Sequence, residues 1–253
     1  MALDDALLDS ASEPGYTTTL RIYSWQPICL SLGQMQPVSD VDKDRLERNG
    51  WDLVRRPTGG RAILHTNEIT YSITGRTDDP LFGGGILPSY RRISLSLQAF
   101  LAYYGLTPES KDSANTTAGP TQAVCFEVPS QYEITLKGKK IIGSAQARNS
   151  NSVLQHGTIP LSGDITRITQ VLFYPEESMR EEAARRITER ATTLQAELKT
   201  LIYYPVAVQD FIRAFEFTQN ISLLPGELTK FEAELANELM DSKYTLGGWT
   251  NRA

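Results

Sequence analysis

The spacing of apolar residues changes from strand-like to helical along the chain, and this change constrains the fold more than any single motif. In the segment EITYSITG, residues 68–75, Ile69, Tyr71 and Ile73 alternate with small polar residues, which predicts a strand with one buried face. From residue 176 onward, apolar residues recur at helical spacing instead. Strands first and helices gathered later predict an α+β fold, with a central mixed or antiparallel β-sheet flanked by helices, rather than a doubly wound parallel sheet.

The same patterns place the remaining elements. Further strands are predicted at residues 17–26, 28–34 and 51–56, and a hairpin at 132–142 with its turn around Gly138. Helices are predicted at 3–12, at 93–104, at about 205–217 and 226–241, and along the stripe Met179, Ala183, Ile187, Ala191, Leu194, Leu198 and Leu201. Residues 78–89 and 107–122 are expected to be loops, the second of them mobile.

Composition excludes several classes of protein. The 253 residues are 40% hydrophobic, enough to bury one large core, and the net charge of −5 argues against a nucleic-acid-binding surface. No apolar run approaches the ~20 residues needed to cross a bilayer, and the acidic N-terminus does not look like an export signal. Two cysteines and two histidines provide neither a disulfide framework nor a multi-histidine metal site, so we expect no metal and a reducing, cytoplasmic setting.

Two arginines stand directly before a glycine turn in the segment RRPTGGRAILH, residues 55–65. Gly59 and Gly60 lack a Cβ atom, so their backbone can adopt positive φ and approach a ligand closely. The guanidinium groups of Arg55 and Arg56 suit phosphate or carboxylate recognition. The spacing matches neither a P-loop nor a dinucleotide fingerprint. A tight structural turn and a ligand-binding turn therefore both remain open.

The cysteines and histidines are the next candidates. Cys125, between Val124 and Phe126, is either a small buried hydrophobe or a nucleophile activated by a nearby lysine. Cys29 is interpreted as a core residue. We interpret His156 as a structural hydrogen-bonding residue and His65 as a wall residue, with a catalytic role as the alternative for each.

Three segments in this order, RRPTGGRAILH, KIIGSAQARN and LQHGTIPL, resemble the biotin/lipoate protein ligase family (BPL/LPL), and most closely its octanoyltransferase branch related to lipoate–protein ligase A. RIYSWQPICLSLGQMQ, GGGILPSYRRISLSLQAFLAYYGL and SKYTLGGWTNR support the resemblance, which covers essentially residues 1 to 250. It implies one BPL/LPL catalytic domain over residues 1–253, whose helical part from about 176 packs on the sheet. Family members usually carry residues ahead of the position of Met1, so we expect a short or incomplete start.

The resemblance also assigns residues. A cysteine directly before F-x-x-P-S-x-Y-E marks the acyltransferases of this branch, which implies Cys125 as nucleophile. The lysine three residues before Gly-Ser-Ala is Lys140, which in the family reaches the acyl carbonyl. Acyl or substrate binding is implied for Arg55, Arg56, Thr58, Gly59, Gly60, His65, Gly143, Ser144, Ala145 and His156.

The implied reaction is transfer of an octanoyl group from octanoyl-acyl carrier protein to a lysine of an apo lipoyl domain or of glycine cleavage H protein, in lipoate biosynthesis. It needs no cofactor. The alternatives are an ATP- and Mg-dependent lipoate or octanoate ligase, an amidotransferase acting between lipoyl domains, and a non-catalytic acyl-carrier-binding homologue. We expect a monomer with no nucleic-acid or membrane partner. A basic rim is expected to steer the acidic carrier protein, composed of Arg55, Arg56, Arg61, Arg91, Arg92, Lys137, Lys139, Lys140 and Arg148.

Overall fold

The computed structural model describes residues 1–111 and 133–252. Its strands are β1 (Thr19–Tyr23), β2 (Cys29–Leu32), β3 (Asp52–Arg55), β4 (Ile63–His65), β5 (Glu68–Arg76), β6 (Glu109–Lys111), β7 (Glu133–Leu136), β8 (Lys139–Arg148) and β9 (Ser152–Pro160). Its α-helices are α1 (Ala2–Ser10), α2 (Lys43–Arg48), α3 (Ile86–Tyr103), α4 (Glu177–Arg190), α5 (Leu194–Leu198), α6 (Tyr204–Gln219) and α7 (Lys230–Leu239). None of these helices is long and apolar enough to cross a membrane.

Two sheets form the framework. The larger has six antiparallel strands in the order β1-β5-β9-β8-β7-β6, and the smaller has the order β3-β2-β4, with β2 parallel to β3 and antiparallel to β4. The predicted α+β class with a mixed, largely antiparallel sheet is confirmed.

The main core lies on one face of the large sheet, where Tyr71 of β5 meets α3 and α6. Tyr71, Phe100 and Phe211 are fully buried, with ring centroids 5.6 Å apart in both the Tyr71–Phe211 and the Phe100–Phe211 pair. Burying aromatic side chains of this size contributes much of the packing energy of such a core. The opposite face of the sheet is covered by α1 and the small sheet, and it carries the polar residues described below.

The structure corrects three predictions about local structure. Residues 109–111 form β6 inside the predicted loop 107–122, the rest of which lies outside the described residues except for 107 and 108. Helix α3 begins at Ile86, within the predicted loop 78–89, because Pro88 is tolerated in a first helical turn.

The predicted division into one domain, residues 1–253, stays a prediction.

The third correction concerns the helical stripe from Met179 to Leu201, which is not one continuous helix. Helix α4 ends at Arg190, and Ala191 is extended and bridges to Lys140. The Thr192 N–H donates to the Lys140 carbonyl at 3.0 Å, so this segment pairs with β8 before α5 begins. A periodic pattern could not show this, because a long-range backbone hydrogen bond replaces the helical one.

Candidate active site

A cavity with about 340 Å³ of empty space, its open mouth included, lies where the two sheets face each other. Strands β1, β4, β5, β8 and β9 provide most of its walls, and Met1, Trp25 and Arg56 lie outside these strands. The lining residues are Met1, Tyr23, Trp25, Arg56, Ile63, His65, Thr70, Gly143, Ser144, Ala145, His156, Gly157 and Thr158. Six residues that the resemblance assigned to substrate binding therefore meet around one space: Arg56, His65, Gly143, Ser144, Ala145 and His156. Arg55, Thr58, Gly59, Gly60 and Lys140 do not line it. Cys125 lies outside the described residues.

A β-bulge determines where Lys140 points. Thr135 of β7 faces Lys140 and Ile134 faces Ile142, so β8 carries one extra residue, Ile141, between the two pairs. Successive residues of a strand face opposite sides, so the bulge turns Lys140 away from the side of Ile142. Lys140 therefore lies on the cavity side of the sheet, the side that also carries Ala145 and His156.

The Lys140 ammonium is held by a carboxylate of the neighbouring strand. Its Nζ donates to Oε1 of Glu133 at 2.7 Å, and the two side chains are only 3% and 13% exposed. A buried ammonium needs such a partner, because desolvation of an unpaired charge is costly. Sequence reasoning had not singled out Glu133, although it stands inside the motif that follows Cys125.

His156 belongs to a buried chain of polar groups. Its Nε2 lies 2.6 Å from Oγ1 of Thr58, and its Nδ1 lies 3.5 Å from Oδ2 of Asp4. Asp4 also accepts hydrogen bonds from Arg21 and from the Tyr23 hydroxyl. This chain ties helix α1 to the glycine turn through the cavity wall. Asp4 lies 152 residues from His156 in sequence, so no local pattern could have paired them.

Burial and hydrogen bonding shift the pKa values of both His156 and Asp4. Burial lowers the pKa of His156 below its ordinary value of 6.5, although Asp4 acts in the opposite direction. Burial raises the pKa of Asp4, but the hydrogen bond with His156 and the charge of Arg21 outweigh it and hold the pKa well below the ordinary 3.8.

We predict that acid destabilises the protein partly through His156. The unfolded chain protonates this histidine below about pH 6.5, whereas the folded chain resists doing so, so the stabilisation present above that pH is lost as the pH falls. Urea unfolding from about pH 7 down to about pH 5.5 should show a falling free energy of unfolding, with a flatter dependence in His156→Gln. Equal slopes in the two proteins would contradict the assignment.

His65 is held in an equally complete set of contacts. Its Nδ1 lies 2.6 Å from Oε1 of Glu68, its Nε2 lies 2.7 Å from Oγ of Ser31, and its ring stacks on Trp25 at 4.3 Å between centroids. A carboxylate can only accept, so Nδ1–H donates to Glu68, and the Ser31 hydroxyl is the partner of Nε2. Thr70 and Thr158 donate to Glu68 as well. Both ring nitrogens are thus engaged, which suits a wall residue, as the sequence indicated.

The two arginines of the motif bind backbone carbonyls. All three guanidinium nitrogens of Arg55 donate, and the acceptors are the carbonyls of Gly33, Gln34, Gln36, Trp249, Thr250 and Arg252. Arg56 donates to Ser31 and to the carbonyls of Gly59 and Arg61. Burial, with the nearby Arg252, lowers the pKa of Arg55. The paired cations before the glycine turn therefore fix the turn and its neighbours in place.

The predicted basic rim needs correction. Arg55, Arg56 and Lys140 are buried, because backbone carbonyls hold the arginines and Glu133 holds the lysine, and they cannot form a steering surface. Arg92 and Arg148 are half-buried and bind carbonyls of the loop before α3. Arg61, Arg91, Lys137 and Lys139 retain exposed or half-exposed side chains.

Gly60 of the glycine turn lies against Gly33. An added Cβ on Gly33 would lie 1.9 Å from the Gly60 carbonyl oxygen, whereas one on Gly59 would meet no atom within 4 Å. Gly60 has φ of +96°, and Gly59 does not have a positive φ. The requirement for glycine is therefore strict at positions 33 and 60 and weak at 59.

We predict that Gly33→Ala lowers the free energy of unfolding by roughly 1–3 kcal/mol, because the backbone must move to relieve the overlap. Gly59→Ala is the matched control and should stay within about 0.5 kcal/mol of the original protein. Chemical denaturation of both variants checks this, and similar losses in the two would refute the close approach of Gly33 to Gly60.

The other thiol is unsuited to nucleophilic chemistry. Cys29 is 5% exposed on β2, and burial raises the pKa of its thiol to about 12. The prediction that Cys29 is a core residue is confirmed. Within residues 1–111 and 133–252, no group of three or more histidine, cysteine or acidic side chains is arranged to hold a metal ion.

Comparison with known proteins identifies the family. Residues 1–218 match the lipoyl protein ligase A/B catalytic domain. The chain therefore belongs to this family, and the resemblance drawn from the motifs is confirmed. An octanoyltransferase LipM from Moorella thermoacetica is 38% identical, with 100% of this chain and 93% of the relative covered. One from Bacillus subtilis is 34% identical, with 98% and 92% covered.

Solved structures of lipoate protein ligases superpose on the chain over nearly its whole length. A bi-partite lipoate protein ligase from Thermoplasma acidophilum superposes with a TM-score of 0.81 at 25% identity, covering 99% of this chain and 89% of the other. A lipoate-protein ligase A structure with bound ATP gives 0.78 at 25% identity, covering 99% and 92%.

Proposed function

We propose that the chain transfers an octanoyl group from octanoyl-acyl carrier protein to a lysine of an apo lipoyl domain, or of glycine cleavage H protein, through an acyl-enzyme on Cys125. The class of activity is established by kinship: the chain is an octanoyltransferase of lipoate biosynthesis, with full-length relatives named octanoyltransferase at 33 to 38% identity. The structural observation that supports the route is the position of Lys140, which is turned by a bulge to the cavity side of the sheet.

In the first step the Cys125 thiolate attacks the thioester carbonyl. The new C–S bond forms, the carbonyl electrons move to oxygen, and collapse of the tetrahedral intermediate expels the carrier thiolate, which takes up a proton. A free thiol is only a few per cent thiolate near neutral pH, so a nearby ammonium helps by stabilising the thiolate. Lys140 is the cation proposed for this role.

In the second step the acceptor lysine, as the neutral amine, attacks the acyl-enzyme. A C–N bond forms, the C–S bond to Cys125 breaks, and the proton lost by nitrogen returns to the thiolate. Lys140 and the backbone N–H of Gly143 are the donors proposed for the oxyanion of both intermediates. To donate to the oxyanion, the Lys140 ammonium must give up part of its contact with Glu133 and bind the acyl oxygen instead.

The proposed reaction uses no cofactor, since a thioester donor already carries an activated acyl group. The second candidate is ATP- and Mg-dependent ligation of free acid, and it is favoured by one observation, the likeness to a lipoate-protein ligase A with bound ATP. The presence of a cysteine directly before the F-x-x-P-S-x-Y-E segment supports transfer instead, because ligation through an adenylate needs no thiol.

The remaining properties are proposed with the reaction. The donor is an acidic carrier protein that Arg61, Arg91, Lys137 and Lys139 attract. The enzyme acts as a cytoplasmic monomer on protein substrates, without nucleic-acid or membrane partners.

The test is a comparison of substrates. The purified protein is incubated with an apo lipoyl domain and one of three donors: octanoyl-acyl carrier protein without ATP, free octanoate or lipoate with ATP and Mg, or an octanoyl-lipoyl domain without ATP. Intact-mass measurement of the acceptor should show octanoylation only with the carrier-bound donor. Modification only with ATP and free acid would establish a ligase, and a reaction only from an octanoyl-lipoyl domain would establish an amidotransferase.

A further inference from the structure

The C-terminal end of the described chain, residues 243–252, is attached to the glycine turn beside the cavity. We call these residues the C-terminal strap. The match to the family's catalytic domain ends at residue 218. The strap therefore lies beyond the part that the family model accounts for, yet its contacts lead directly to the walls of the candidate active site.

The central contact is reciprocal between Arg55 and Trp249. The Arg55 Nε donates to the Trp249 carbonyl at 3.0 Å, and the Trp249 indole Nε1 donates back to the Arg55 carbonyl at 2.9 Å. Arg55 Nη2 also donates to the carbonyls of Thr250 and Arg252, each at 3.0 Å. Three of the six carbonyls around this fully buried guanidinium thus come from the strap, and the other three come from residues 33–36.

The strap is itself anchored by charged groups. Two cations pack on the Trp249 ring, with the Lys243 Nζ 4.2 Å and the Arg252 Cζ 4.1 Å from its centroid. Lys243 and the Tyr244 hydroxyl both donate to Asp5 of helix α1. The Lys43 Nζ donates to Asn251 Oδ1 at 2.8 Å in an exposed contact.

From Arg55 the contacts continue to the cavity. Residues 33–36, which share the Arg55 guanidinium with the strap, pack on the turn: Gln34 N–H donates to the Thr58 carbonyl at 2.8 Å, and Gly33 approaches Gly60 too closely for any side chain. Thr58 in turn contacts His156 Nε2 at 2.6 Å, and His156 lines the cavity. The chain of contacts is continuous from Trp249 to the cavity wall.

We infer that Arg55 and Trp249 are positioning residues for the acyl-transfer reaction, and that the C-terminal strap sets the place of the glycine turn and of His156 at the cavity. Neither residue touches the cavity, so each acts through the turn. The part of this inference that concerns catalysis rests on the proposed function, whereas the part that concerns His156 does not.

The experiment uses three variants of the full chain and one deletion. Trp249→Phe keeps an aromatic ring for Lys243 and Arg252 and removes the indole N–H that binds Arg55. Arg55→Lys keeps the charge but cannot reach six carbonyls from one planar group. Deletion of residues 245–253 removes the strap carbonyls altogether. Lys43→Ala is the control, since it removes one exposed side-chain contact of the strap and none of the hydrogen bonds that Arg55 makes with it.

Two readouts separate positioning from stability. The chain has only two histidines, so the imidazole NMR signals of His156 and His65 can be assigned by substitution and followed in every variant. The second readout is the single-turnover rate of octanoyl transfer to the enzyme, expressed per folded molecule from the unfolding curve of each variant. Loss of one hydrogen bond in Trp249→Phe should lower this rate about fivefold. Arg55→Lys and the deletion should lower it about tenfold or more.

The inference is supported if the His156 signal moves and the rate per folded molecule falls in Trp249→Phe, while Lys43→Ala leaves both unchanged. It is overturned if these variants lose only stability and keep the original His156 signal and rate. If the original enzyme forms no acyl-enzyme at all, the proposed function fails. The His156 signal then still decides whether the strap positions the turn.

Discussion

Replacing Cys125 by serine should abolish octanoyl transfer from the carrier protein while leaving the protein folded. Serine is a far weaker nucleophile than a thiolate near neutral pH, so the rate should fall roughly a thousandfold or more. The acyl-enzyme should also be absent from the intact mass spectrum. Circular dichroism and the unfolding midpoint should match those of the original protein, because the change replaces one sulfur by oxygen.

Cys29→Ser is the matched control for this experiment. Cys29 is buried on β2 and burial raises the pKa of its thiol to about 12, so it contributes almost no thiolate. Its loss should leave the transfer rate nearly unchanged. A protein that is inactive as Cys29→Ser and active as Cys125→Ser would show that the wrong thiol had been assigned.

Replacing Lys140 by alanine should have the second-largest effect. Loss of one preorganised oxyanion donor costs about 10²–10³-fold in rate, and here the same ammonium is also proposed to stabilise the thiolate. Stopped-flow or quench measurement of the acylation step should therefore show at least a hundredfold decrease. An unchanged acylation rate would remove Lys140 from the mechanism.

Two further variants distinguish loss of the Lys140 ammonium from structural damage. Lys139→Ala removes the adjacent lysine, whose Nζ donates to the Thr188 carbonyl, and with saturating donor its acylation rate should be close to the original one. Glu133 is left without its 2.7 Å partner in Lys140→Ala, so the double variant Lys140→Ala with Glu133→Gln tests for a purely structural loss. If the double variant recovers activity, the deficit came from the charge of the Glu133 carboxylate and not from the missing ammonium.

Much of the fold could be read from sequence because its patterns are local. The alternation of Ile69, Tyr71 and Ile73 predicted β5, and the turn of the β7–β8 hairpin was predicted at Gly138, because glycine tolerates positive φ. The helical stripe after residue 176 failed at Ala191, where pairing with Lys140 overrides periodicity. Local patterns carry no information about such long-range backbone pairing.

Some contacts of the candidate site could be predicted from the sequence, and others could not. The spacing of His65 and Glu68, three residues apart, could have suggested their contact, but Asp4 and Trp249 reach the site from opposite ends of the chain. The orientation of Lys140 depends on a bulge at Ile141, which no sequence period reveals. The roles of Arg55 and Arg56 were ambiguous, since a guanidinium can donate to backbone carbonyls as well as to anions.

The most direct test of the account is to trap the acyl-enzyme and locate it. The protein is mixed with octanoyl-acyl carrier protein in the absence of ATP, digested, and mapped by mass spectrometry, and a second portion is chased with an apo lipoyl domain. Transfer through Cys125 predicts a single octanoyl adduct on this residue, which disappears as the acceptor gains the same mass. An acceptor that is octanoylated without any adduct on Cys125, or an adduct that the acceptor cannot remove, would contradict it.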